Sequence, residues 1–337
     1  MAAANGLRAA AWATLAVAAA IAVGSLIALR IGGAADAPLL GDPGALIRWA
    51  IAPIRAVSDF GMAGAIGALV FAVFVLPDNS KALGRALDFA GLAAGVWSLA
   101  AATYLVFNYL SVTGTQFSTD NSFGAGLWFF ITNIQLGQYL GLNLAAAAVV
   151  TILALTVRRL VPAMFVAVLA VAALVPLALT GHAAGIQGHS MAVNALGLHL
   201  LGATIWVGGL ATLIVLAFST PLDTLKTYAG RYSTLALIGF AVVAVSGAAS
   251  AWVRIANWQN LFTAYGLIVA LKIAVLVVLG GFGAFYRLKL FRGQATKMRM
   301  LAKLSVAGWL AGVCGASPKR ASTWKVLPAP TADSTQM

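Results

Sequence analysis

The long apolar runs constrain this chain more than any other feature. A helix needs about 20 apolar residues to cross the hydrocarbon core of a bilayer. Eight stretches reach that length, at approximately 9–30, 50–76, 89–111, 135–157, 160–180, 191–218, 232–253 and 263–287. They are too long for membrane strands and lack the alternation that strands need. The sequence therefore predicts an all-α, polytopic membrane protein of about eight transmembrane helices. Composition agrees: the chain is 62% hydrophobic and 9% charged, where a soluble domain carries about one-quarter charged residues. The run at 9–30 exceeds the apolar core of a secretory signal, so it reads as a retained first helix.

Charge sets the expected orientation. Glu is absent, and eight Asp face enough Lys and Arg to leave a net charge of +13. Arg8, Lys81, Arg85, Arg158, Arg159, Lys226, Arg231 and the basic residues from Arg287 onward fall on one side of the spans. The other side holds Arg30, Arg48 and Arg254, with Asp36, Asp42 and Asp120. The positive-inside rule then makes both termini cytoplasmic. Attraction to anionic lipid headgroups accounts for the basic excess without nucleic acid. No phosphate-binding G-x-x-x-x-G-K-[ST] motif and no sizeable soluble domain is present, so no nucleotide is expected. The single Cys314 can form neither an internal disulfide nor a cysteine-cluster metal site.

All three histidines fall within eighteen residues: His182, His189 and His199. The first two are expected in the short connection before the sixth span, on the outer face. His199 is expected about nine residues into that span, roughly 13 Å below its outer end. Imidazole suits copper, zinc, iron and nickel, and thioether favours Cu(I). Met191, two residues after His189, adds a soft ligand, so the cluster points to copper. HExxH and CxxC zinc spacings are both missing. The plainer alternative leaves the two loop histidines exposed and has His199 bonding a neighbouring helix.

Charged residues inside spans are costly and rarely face lipid. Arg55 and Asp59 lie four apart on the second span, Met62 follows three later, and Lys272 sits near the middle of the last. Two arrangements are open. Asp59 pairs with Arg55 within one helix, or bridges to Lys272 across helices. A functional reading makes Asp59 and Met62 part of a cation path, with Lys272 as ion-pair partner or gate. Gly61, Gly64 and Gly67 read as a helix-packing face. Tyr104, Tyr109, Trp128, Trp252 and Trp258 read mostly as interfacial aromatics. Asn108 and Asn143 read as interhelical hydrogen-bonders.

Several segments of the second half resemble one family. They are GHA at Gly181–Ala183; LHLLGATIWVGGL, with His199, Trp206, Gly208 and Gly209; RYSTLALIGFAVVAVSG, with Arg231, Ser233 and Gly247; and Tyr265, Gly266 and Lys272, followed by Ala284 and Arg287. In order and spacing these resemble the bacterial copper-resistance protein D family of inner-membrane proteins, over roughly 180–290. The first 175 residues match it mainly in hydropathy. The resemblance implies a multi-pass inner (plasma) membrane protein that moves copper, commonly inward, alongside a periplasmic copper-binding donor protein. It places His182 and His199 in the family pattern, while His189 and Met191 are added by chemistry and proximity.

The expected organisation is a helical membrane region at 1–175, a copper-resistance-D-like membrane domain at 176–300, and a polar tail at 301–337. Leu304–Val313 is too short to span, and 315–337 is rich in Ser, Thr and Pro. Relatives continue into a further span there, so the tail reads as disordered, truncated or frame-shifted. No covalent chemistry is required, and the chain is expected not to be an enzyme. Two other classes remain: a haem-containing membrane oxidoreductase, which lacks a second histidine firmly inside a span, and an assembly factor for a respiratory oxidase.

Overall fold

The structure, a computed structural model, describes residues 41–180, 189–255 and 264–290, with a few positions between 23 and 37. The span expected at 9–30 therefore lies almost wholly outside the described residues, as do His182, Trp258 and the tail. The elements are α1 (Ala45–Val75), α2 (Lys81–Thr113), α3 (Asn121–Asn133), α4 (Gln135–Thr156), α5 (Leu160–Ala172), α6 (Leu174–Leu179) and α7 (His189–Ala203), then one π turn (Thr204–Gly208), α8 (Gly209–Ala217), α9 (Leu222–Ile255) and α10 (Ala264–Leu290). Strands do not occur among the described residues. Seven helical stretches there are long and apolar enough to cross a membrane, with α5–α6 forming one and α7–α8 another. The chain is an all-α, multi-pass membrane protein.

Two helix starts and one additional helix differ from the hydropathy reading. Helix α2 starts at Lys81 rather than 89, because Ser80 Oγ caps it by accepting the Leu83 amide at 3.0 Å. Helix α9 starts at Leu222 rather than 232, and its extra turns are polar, with Lys226 paired to Asp223 at 2.8 Å. Helix α3 was not expected; at 13 residues it is too short to span.

Helix α1 forms the centre, packing against α2, the π turn, α5 and α8. Its small residues make this possible. A Cβ at Gly61 would lie 2.6 Å from the Trp97 amide nitrogen of α2, and one at Gly64 would lie 3.0 Å from the Ala93 methyl. Gly67, on another face, abuts Gly208 of the π turn backbone to backbone. The glycine stripe is thus a packing device, as expected, but it serves two partners. Met62, Ile66, Leu69, Phe71, Leu87 and Trp97 fill the core beside it.

One buried polar chain ties three helices together. Trp97 Nε1 donates to Asn143 Oδ1 at 3.3 Å, and Asn143 Nδ2 donates to the Ala173 carbonyl at 3.0 Å. Ala173 sits at the break between α5 and α6, where Pro176 has no N–H for the helical ladder. Asn143 therefore bridges helices, whereas Asn108 bonds the Tyr104 carbonyl of its own helix at 2.7 Å.

The two ends of the bundle are tied differently. At one, Arg231 caps α1 through the Val75 carbonyl at 3.0 Å and Arg85 reaches the Ser219 carbonyl at 2.8 Å. Arg158 pairs with Asp88 at 3.2 Å at that end. At the other, Asp42 accepts from Arg48 and from the Gly44 amide ahead of α1. The Arg48 hydrogen bond, then that of Gly44, holds the Asp42 carboxyl below the usual carboxylate range. There α2 ends on Gly114, at φ 65°, packed against Gly41, at φ 64°. Only glycine takes these left-handed positions at such close approach.

Candidate functional site

His199 lies on α7, half-buried, and faces α9. Its Nδ1 is 3.2 Å from Ser246 Oγ, which itself donates to the Val242 carbonyl at 2.5 Å. Lys272 of α10 is close enough to act on the ring electrostatically. Gly247, beside Ser246, leaves room for the imidazole: a Cβ there would sit 3.6 Å from Cε1. A groove of about 630 Å³ opens alongside, between α7 and α9. Leu198, Val242 and Val245 line it, and Asn194 and Ser246 supply its polar groups. Asn194 is five positions before His199, toward the outer end of the helix.

The residues after His199 explain how α7 comes so close to α9. A Cβ at Gly202 would fall 2.8 Å from the Gly239 carbonyl oxygen, and one at Gly239 would fall 2.9 Å from that of Gly202. One turn on, Trp206 meets Phe240 edge to face at 5.2 Å. His199, Gly202 and Trp206 thus share the α9 face, as the seven-residue spacing of His199 and Trp206 implies. The next residues divide between two helices: Gly208 lies directly on Ala63 and Gly67 of α1, while Gly209 stays against α9, under the Tyr232 ring. The π turn spanning Thr204–Gly208 accommodates this change of partner, and the Tyr232 hydroxyl donates to the Trp206 carbonyl within it. The run WVGG therefore wedges one helix between α1 and α9.

His189 belongs to the first turn of α7, beside Met191, rather than to the connection before it. Ten helical residues separate His189 from His199, an axial rise of about 15 Å. The two backbone positions stand at successive levels of α7. His182, in the GHA segment, lies outside the described residues. Among the described residues, no three His, Cys, Asp or Glu side chains gather as a metal cluster.

The charged group within α1 resolves as an intrahelical pair. Arg55 Nε is 3.8 Å from Asp59 Oδ2. Arg55 is held more firmly by α2: its Nη1 donates to Tyr104 Oη at 2.9 Å, and its guanidinium lies 5.6 Å from the Tyr104 ring centroid. Met62 is 1% exposed and belongs to the apolar core. Tyr104, expected as an interfacial aromatic, is instead the partner of a cation. Trp128 and Trp252 are exposed on the outer surface of the bundle, as interfacial aromatics require.

Sequence reasoning did not single out Ser246, Asn194, Gly202, Gly239 or Tyr232. Only Ser246 had a visible signal, as a polar residue deep in an apolar run beside Gly247.

Two family models match the chain in order. Copper resistance protein D-like, N-terminal domain, covers residues 45–193, and Copper resistance protein D covers residues 226–316. The likeness of the first half is thus one of sequence and not of hydropathy alone. The copper transport protein CutJ of Bacillus subtilis (strain 168) is 32% identical over 141 residues, 40% of this chain and 26% of that protein. The aligned stretch spans about a quarter of that relative's length. No solved structure matches. With both family models matched, one on each side of the segment that carries His199 and the WVGG crossing, this chain belongs to the copper resistance protein D family.

Proposed function

We propose that the chain carries copper across the bacterial inner (plasma) membrane, in the inward direction, with His199 as the ligand inside the bundle. Copper is the cargo, and no covalent chemistry is involved. Family membership supports copper handling, and one structural observation carries the choice of residue. His199 is a histidine seated within a span, its ring oriented by Ser246. Partners of this kind fix the orientation of metal-binding imidazoles and raise their basicity. Asn194 and the groove give a partly polar approach from the outer end.

His189 and Met191, one level above, and His182 before them collect the ion from an extracytoplasmic donor protein. His199 then passes it inward. The end capped by Arg85, Arg158 and Arg231 is cytoplasmic by the positive-inside rule. Cellular copper accumulation tests the reading. Cells expressing the wild-type chain are expected to accumulate copper above the vector control, and His199→Ala to return them to it. Unchanged accumulation in an inserted, equally abundant His199→Ala variant removes His199 from the path.

A further inference from the structure

Asp59 is the one carboxylate enclosed within the apolar spans of the described residues. Asp88 and Asp223, the others within spanning helices, have side chains 60% and 94% exposed, against 16% for Asp59. The chain has no Glu to share its role.

Its environment is unbalanced. Arg55 has a hydrogen bond and an aromatic face from Tyr104, so the cation is held whether or not the carboxylate is charged. Asp59 has less: among the described residues its carboxylate makes the 3.8 Å contact with Arg55 and no hydrogen bond. A carboxylate so loosely paired, away from bulk water, is a proton acceptor in waiting. The other elements packed on α1 bring few competing groups. The π turn, α5 and α8 carry no titratable side chain. From α9, Arg231 and Tyr232 face the opposite end of α1, at the Val75 carbonyl and beside Phe71.

Asp59 also lies level with His199. Helices α1 and α8 run toward the same end of the bundle, where Arg231 caps α1 and Arg85 holds Ser219 just past α8. Gly67 abuts Gly208. Asp59 is eight residues before Gly67 and His199 nine before Gly208, so each stands roughly 12–13 Å above that crossing. On α1, Asp59, Ala63 and Gly67 are spaced at four-residue steps, which puts Asp59 on the face turned toward α7–α8. His199 occupies the far side of α7 from it.

We propose that Asp59 binds a proton in exchange for the cation at His199, so that the chain acts as a cation–proton exchanger. This rests on the copper reading of His199. Among the described residues, the interior at this level holds Asp59 as the one carboxylate, beside Arg55. A cation at His199 is tolerated while Asp59 is ionised. Protonation removes that negative charge and expels the cation. Occupancy by the one therefore excludes the other. The step transfers a proton between the Asp59 carboxylate and water, and no bond or electron is otherwise exchanged.

The test uses the purified full chain in proteoliposomes, with Cu(I) and a reductant outside and a pH-sensitive dye in the lumen. Copper uptake and lumenal pH are followed together. Wild type is expected to take up copper while the lumen turns alkaline. Asp59→Asn, a mimic of the protonated state, is expected to lose that pH change and to bind copper weakly at every pH. Asp59→Glu is expected to restore both. Monodisperse elution of Asp59→Asn separates this loss from misfolding. Copper uptake by wild type with unchanged lumenal pH overturns the exchange and leaves the copper reading standing. A wild-type pH response in Asp59→Asn overturns the role of Asp59. Wild type that moves no copper overturns both readings.

Discussion

A single methyl group at Gly208 probes how the site is held. In Gly208→Ala the new Cβ would overlap the Ala63 carbonyl and lie 2.9 Å from Gly67 Cα. Carbon atoms in contact prefer about 3.5–4.0 Å and the Ala63 carbonyl oxygen lies closest, so α1 and the π turn must part by more than ~1 Å. Backbone supplies both obstructing surfaces, and neither can turn aside as a side chain does. Overpacking of this kind costs about 1–3 kcal/mol, and Gly208→Ala is expected near 2. Gly230→Ala on α9 is the matched control, since nothing lies within 4 Å of its added Cβ. Helix propensity there favours alanine by about 0.8–1 kcal/mol. The two alanines should therefore move stability in opposite directions, about 3 kcal/mol apart. Reversible unfolding in mixed micelles of rising dodecyl sulfate fraction, followed by circular dichroism, measures the difference. Equal unfolding points for the two variants would refute the close α1–Gly208 crossing.

Asn143→Leu strands the Trp97 indole N–H and the Ala173 carbonyl, and should lower stability in the same assay by about 1–2 kcal/mol. Tyr232→Phe removes the hydroxyl that binds the Trp206 carbonyl. It should cost about 1 kcal/mol and speed amide exchange through Thr204–Gly208. Asp42 gives a pH dependence whose sign follows from its lowered pKa. Its contribution is complete above the unfolded value of about 3.9 and is lost as pH falls through the lower folded value. Protection factors over Ala45–Arg48 should hold steady down to about pH 4 and fall below it, and Asp42→Asn should flatten that curve.

Hydropathy alone located the described spans because hydrocarbon imposes one length on every helix that crosses it. Where water takes over, that rule stops. The polar first turns of α2 and α9 are set by Ser80 and by the Asp223–Lys226 pair. Helix α3 is too short to register as a span. At the site, the sequence made His199 stand out as a lone imidazole in an apolar run. It could not show that Gly202 and Gly239 meet, because which glycines touch depends on the crossing point of two helices 37 residues apart in sequence. Nor could it show the π turn, since no residue type demands one. Arg55 and Asp59 were legible as a four-residue pair; Tyr104, which takes the guanidinium, looked like any interfacial tyrosine.

The central claim is that copper is held by the imidazole of His199 within the bundle. X-ray absorption of the purified full chain loaded with Cu(I), compared with the His199→Ala variant, tests it most directly. The account predicts an imidazole nitrogen in the copper shell of the wild type, and loss of that scatterer with a lower copper content in the variant. An identical shell and copper content in both proteins would contradict it.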